Sequence, residues 1–156
     1  MVEYENPSEV NNYEYEITLL DEIEENLRKL EGSQYSIVST SDLLLAPQVE
    51  PLIPFIVELW QRLLQRSHRT KKLAYVYLVN DVIQKGSMMG KDSYQRAFDP
   101  VIGKALIALF EGQLRGELYK EIKQDIIKVI NLWVKARFFT DLDELREKLI
   151  KIGKLD

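Results

Sequence analysis

Apolar residues in this chain recur at intervals of three and four, and no segment shows clear alternation or an Asn-Gly hairpin signal. Ile17, Leu20, Ile23, Leu27 and Leu30 form one stripe and predict a helix over 14–30 that Gly32 stops. A second helix follows over 33–45, with Ser33 placed to cap it. Pro47, Pro51 and Pro54 then break the chain. A third helix runs to Ser67, with Phe55, Leu59, Leu63 and Leu64 on its apolar side and Pro51 or Pro54 in its first turn. The fourth helix spans 70–88, with Gly86 and Gly90 near its end. The fifth spans 93–111, where Pro100 is expected to kink or split it. Gly112 and Gly116 make a connector, the sixth helix covers 117–137, and Thr140 is the expected N-cap of a seventh, with Asp141, Asp143 and Glu144 in its first turn. The pattern is that of an all-α fold of seven or eight helices. It predicts a polar segment over 1–13 and a single domain over 14–153. Repeats of 34 or 40 residues are absent, which argues against a solenoid.

The fourth helix, KKLAYVYLVNDVIQKG, is the most informative. At 100° per residue, Tyr75, Val76, Leu78, Val79, Val82 and Ile83 occupy one arc about 160° wide. Tyr77, Asn80, Asp81, Gln84 and Lys85 occupy the opposite arc, with Tyr77 at its centre. One reading is a solvated face with an ordinary Asp81–Lys85 pair. The other is a row that hydrogen-bonds a peptide lying across the helix: amides give and accept, Asp81 accepts, and a phenol supplies flat contact area. The sixth helix has a similar division. Ile122, Ile126, Ile127, Val129, Ile130, Trp133 and Val134 face inward, while Glu121, Gln124, Lys128, Asn131, Leu132 and Lys135 face outward. Lys128 is a candidate phosphate contact and Leu132 a candidate apolar one, although most such lysines only solubilise.

Composition narrows the chemistry. The chain contains no Cys and one His, His68, which removes disulfides, Cys-ligated zinc, thiol nucleophiles and His-rich metal sites. No run approaches 18 apolar residues, and the acidic start MVEYENPSEV lacks the apolar stretch of a signal peptide, so a soluble intracellular protein is expected. P-loop, GxSxG and HExxH patterns are absent, and no nucleophile–base pair stands out, so no enzyme activity, cofactor or metal is expected. The net charge of −4 argues against general nucleic-acid binding. It conceals an asymmetry. Residues 1–31 hold ten acids and two bases, whereas residues 61–91 hold seven bases and one acid. Arg62, Arg66, Arg69, Lys71, Lys72, Lys85 and Lys91 form either a solvated surface or a basic patch for an acidic or phosphorylated partner.

The run from Lys71 to Gln84, KKLAYVYLVNDVIQ, closely resembles the signature helix of the CTD-interacting domain (CID) family. Ser33-Gln34-Tyr35-Ser36-Ile37 is similar to the SQxSI start of that family's second helix. Val57-Glu58-Leu59-Trp60 resembles its VxxW segment, and Asn131-Leu132-Trp133 its late NxW segment. The likeness covers about residues 14–140. It implies a right-handed superhelix shared with VHS and ENTH domains, and a groove between the second, fourth and late helices that binds the heptad-repeat C-terminal tail of RNA polymerase II around a Ser-Pro turn. By that resemblance Asp81 accepts a hydrogen bond at the turn and the heptad tyrosine enters near it. Tyr77, Asn80 and Gln84 line the groove, and Leu132 packs on the peptide. Lys128, Lys72, Lys85 and Arg137 are the expected phosphate contacts.

Two departures stand out. Lys128 replaces the Arg of members that favour phosphate on the second heptad serine, and Ala136 stands where several relatives carry another Arg. Lysine lacks the bidentate fork of arginine, so weaker or less selective phosphate recognition is expected. The expected function is a nuclear binding module that couples transcription to RNA 3′-end processing or termination, with the phosphorylated tail as partner, possible contacts to RNA-processing factors, and no membrane or direct DNA binding. The same-fold alternative is a VHS- or ENTH-type trafficking adaptor for a sorting signal or phosphoinositide. ENTH lipid binding needs a basic amphipathic N-terminus, which the acidic residues 1–31 do not provide.

Overall fold

A computed structural model describes residues 7–155 of the chain, with side chains over 14–153. Seven α-helices are present among the described residues: α1 Pro7–Arg28, α2 Gln34–Leu44, α3 Ile53–Arg66, α4 Arg69–Met88, α5 Ser93–Glu111, α6 Lys120–Ala136 and α7 Leu142–Leu155. Short 3-10 segments at Pro47–Leu52 and Glu117–Tyr119 lead into α3 and α6. The helices stack as a superhelix with α4 at the centre, packed against α2, α3, α5 and α6.

The element boundaries follow local chemistry. Ser33 caps α2, its hydroxyl accepting from the Ser36 amide at 3.2 Å. Pro47 and Pro54 each fall in the first turn of a helix, where no amide donor is needed. The chain leaves α6 through Arg137 in the left-handed conformation, φ 57°.

Several expectations are corrected. α1 begins at Pro7, so part of the expected polar segment is helical; residues 1–6 lie outside the described residues. Proline at a first helical position explains the earlier start. α5 runs unbroken through Pro100. Thr140 does not cap α7, which starts at Leu142. The Thr140 amide and hydroxyl instead donate to the Asp99 carboxylate at 3.0 and 3.1 Å, pinning the α6–α7 loop to α5. Ile17 and Phe55, expected on apolar stripes, are exposed, whereas Leu19 is buried.

Trp60 and Trp133 anchor the core, meeting Phe98 and Phe139 edge-on at centroid distances of 5.0 and 5.2 Å. The predicted inward arc of α4 is buried in full: Tyr75, Val76, Leu78, Val79, Val82 and Ile83. Side chains from later helices satisfy the carbonyls at the ends of earlier ones. The Tyr75 hydroxyl donates to Leu27 O at 2.7 Å, at the end of α1. The Tyr94 hydroxyl donates to Leu44 O at 2.6 Å, at the end of α2. Lys72 Nζ donates to Leu64 O and to Gln65 O, the latter at 3.1 Å, at the end of α3. Such end carbonyls lack the regular helix bond; Leu27 O and Leu64 O also take a local donor, from Leu30 N–H at 3.3 Å and the Ser67 hydroxyl at 3.1 Å, and a buried carbonyl left unpaired would cost about 1–3 kcal/mol.

Candidate peptide-binding groove

α4 carries its polar row between two walls, α2 on one side and α6 on the other. Tyr77, Asn80, Asp81, Gln84 and Lys85 are all half-buried, as side chains in a groove are, rather than fully solvated. The helical wheel thus sorted the residues of α4 correctly, and tertiary packing sets how deep they lie.

Asn80 is tied into the fold. Its Oδ1 accepts from Gln84 Nε2 at 2.7 Å and from the fully buried Trp133 indole at 2.9 Å. This bridge joins α4 to α6 and fixes the amide orientation, so the NH2 end of Asn80 is the end left for a ligand. Gln84 serves as a positioning partner of Asn80.

Asp81 and Lys85 form an ion pair with Nζ–Oδ2 at 2.9 Å, and Lys85 also reaches Asp42 Oδ1 of α2 at 3.3 Å. Asp81 Oδ2 is buried against Lys85 Nζ, so a ligand meets the carboxylate at its other oxygen, Oδ1. The Asp81 side chain remains 26% exposed. Its carboxylate is therefore oriented by a cation and still has acceptor capacity. Contact with Asp81 first, and with Asp42 after it, raises the Lys85 pKa against partial desolvation. Lys85 thus reaches the groove floor already paired with two carboxylates, which differs from a free phosphate contact. Asp42 had no sequence signal, since it lies 43 residues from Lys85.

The α6 wall presents Leu132, which is 51% exposed. Lys128 is highly exposed and pairs only loosely with Asp125, at 3.6 Å. Tyr77 faces the same corner: burial, and then the nearby Asp125 charge, raise its phenol pKa and keep it a neutral donor. Tyr77, Asp125 and Lys128 therefore share one rim.

Two expected phosphate contacts are placed elsewhere. Lys72 is fully buried, with its ammonium on the α3 carbonyls, because its position on α4 faces α3 and not the groove. Arg137 lies nine residues beyond Lys128, past the end of α6, where it lines a shallow cavity with Asp141, Asp143 and Glu144. Termination of the helix in the left-handed conformation turns the chain at this residue.

The CID domain family model matches residues 21–145 of the chain. The human Regulation of nuclear pre-mRNA domain-containing protein 1A is 30% identical over 129 residues, covering 81% of this chain and 39% of that protein. Protein 1B of the same name from Mus musculus is 31% identical over 111 residues, covering 71% of this chain and 32% of that protein. The chain thus spans about two fifths of the length of the first of these relatives. Among solved structures, a CID of Ctk3 superposes with a TM-score of 0.73 at 13% identity, covering 88% of this chain and 94% of that one. That likeness concerns the fold.

Proposed function

The chain belongs to the CID family, whose domains bind the C-terminal tail of RNA polymerase II, and we propose that its α2–α4–α6 groove holds a Ser-Pro turn of that tail in a phosphorylated heptad. The observation that carries this reading is Asp81: a partly exposed carboxylate, oriented by Lys85 through its buried Oδ2 at 2.9 Å and open to a ligand at Oδ1, at the centre of the groove floor. A tight turn exposes backbone N–H and side-chain hydroxyl donors, and such a carboxylate accepts them with charge-assisted strength. The Asn80 NH2 adds a donor for a peptide carbonyl, Tyr77 a flat phenol, and Leu132 an apolar contact from the wall. Lys128 supplies phosphate attraction at the rim.

The domain acts by binding. Because a short peptide buries less area than a standard protein interface, affinity on the order of micromolar is expected. Nuclear work linked to RNA 3′-end processing fits the relatives named for nuclear pre-mRNA regulation. The match to the CID family does not favour a trafficking adaptor.

The test is fluorescence anisotropy with a two-heptad tail peptide phosphorylated on the second serine. Asp81→Ala should weaken binding about tenfold or more with an unchanged melting temperature, consistent with about 1.5–3 kcal/mol for a hydrogen bond to a charged group. Lys128→Ala should bring the phosphorylated peptide down to the affinity of the plain one, and Lys128→Arg should widen the gap. Equal binding by wild type and Asp81→Ala would discard the reading.

A further inference from the structure

The seam between α4 and α6 continues past Tyr77 toward the N-terminal ends of both helices. At 100° per residue, Arg69 lies within about 20° of Asn80, the floor residue that bonds to α6, and about three turns before it. Tertiary structure agrees with this placement. The Arg69 guanidinium stands over the ring of Tyr119, at the entry to α6, with 5.0 Å from Cζ to the ring centroid. Further along the same seam Tyr77 feels the charge of Asp125, and Asn80 accepts from Trp133.

Arg69 differs from the other cations of the groove. Lys85 is held by two carboxylates, and Lys128 faces Asp125. Arg69 is exposed and has no carboxylate or hydrogen-bond partner among the described residues; the Tyr119 ring is its contact. Glu117, two residues before Tyr119, faces Lys120 at 3.6 Å. A guanidinium stacked on a ring keeps its capacity to bond, because its N–H donors point outward in its own plane. Stacking also holds the long side chain in advance, which lowers the entropy lost when it engages an anion. The planar fork that Lys128 lacks is therefore present at the start of α4.

We propose that Arg69, held by Tyr119, binds a second phosphoserine of the same tail, in the heptad next to the one in the groove. The inference rests on the tail-binding reading above. Chemistry favours this occupant, because a planar guanidinium matches phosphate with two parallel hydrogen bonds. Continuity favours it too, since Arg69 lies on the α6 side of the same helix that forms the groove floor. Spacing permits it. Arg69 precedes Tyr77 by eight residues, about 12 Å along α4, and Tyr77 shares its rim with Lys128. Seven extended residues span up to about 23 Å, so phosphates one heptad apart reach both points even with a turn between them.

The experiment uses the full 156-residue chain and two peptides of the same two-heptad sequence. One carries a single phosphate, on the second serine of one heptad; the other carries that phosphate in both heptads. The single-phosphate peptide has nothing left for Arg69 while Lys128 holds its phosphate. A second phosphate adds an equivalent register, a statistical gain of about twofold, and engagement of Arg69 should bring the gain in wild type to about tenfold. Arg69→Gln should return the gain to about twofold and keep single-phosphate affinity within about twofold of wild type. Arg69→Lys, a charge without the fork, should fall between the two. Tyr119→Leu keeps the charge, removes the platform and should also reduce the gain. Arg96→Gln removes the same charge from the first turn of α5, beyond the other end of α4, and should keep the full gain. Arg69 and Arg96 are both exposed, so neither change burdens folding. An equal gain in wild type and Arg69→Gln would overturn the Arg69 site and leave the groove standing. So would an equal reduction by Arg69→Gln and Arg96→Gln, the mark of general charge attraction, or an equal weakening of both peptides by Arg69→Gln. Failure of the single-phosphate peptide to bind wild type would overturn both readings.

Discussion

Asn80 shows how a residue can belong to a site and yet act mainly behind it. One oxygen takes two donors, from Gln84 and from Trp133, and so links the floor of the groove to its wall. The Trp133 indole is completely buried, so its N–H depends on this acceptor. Urea unfolding of Asn80→Ala, Trp133→Phe and the double variant should give a coupling energy of about 0.5–1.5 kcal/mol. Peptide affinity should fall in both single variants, because the α4–α6 spacing sets the groove. Additive losses would show that the bond is incidental. The helical wheel put Asn80 on the right face. Its partner was out of reach of any local pattern, since the two residues are 53 positions apart.

The ends of the elements hold a different lesson. Lys72 sits in a basic run and reads as a surface cation, yet packing of α4 on α3 turns it inward onto two carbonyls. Burial pushes its pKa down to about 8, below the ordinary 10.5. The native state therefore releases the Lys72 proton near pH 8, while the unfolded chain keeps it until about pH 10.5. The unfolded state binds more protons in that window, so the Lys72 contribution makes stability rise with pH from about 8 to 10.5. Relative to Lys72→Met, wild type should gain about 1–3 kcal/mol across that range in urea unfolding, and the difference should be flat below pH 7. Tyr75 and Tyr94, whose raised pKa values act in the opposite sense above pH 10, cancel in the comparison. Helix number, the cap at Ser33 and the inward arc of α4 were legible because they depend on neighbours within a turn. The fates of Lys72, Lys85 and Arg137 were not, because charge type says nothing about which helix stands opposite. The same holds for Thr140, which Asp99 diverts from capping.

Over the whole molecule, charge is separated rather than balanced. The first 31 residues are strongly acidic, while Lys120, Lys123 and Lys128 gather around one concavity. Attraction of phosphate to exposed lysines is screened within about 10 Å at 0.1 M salt. Raising salt from 0.05 to 0.5 M should therefore cut affinity for the phosphorylated peptide severalfold and leave the plain peptide nearly unchanged, as read by anisotropy titrations. Equal loss for both would place the phosphate away from the lysines.

The capping of the α1, α2 and α3 ends by side chains of later helices has a consequence for synthesis. The chain leaves the ribosome N-terminus first. When α1, α2 and α3 have emerged, the Leu44 carbonyl still awaits Tyr94, while those of Leu27 and Leu64 hold only their local donors, Leu30 N–H and the Ser67 hydroxyl. The end of α2 therefore stays open until residue 94 is out, and a nascent chain stalled before that point would present it to whatever quality-control factors meet it.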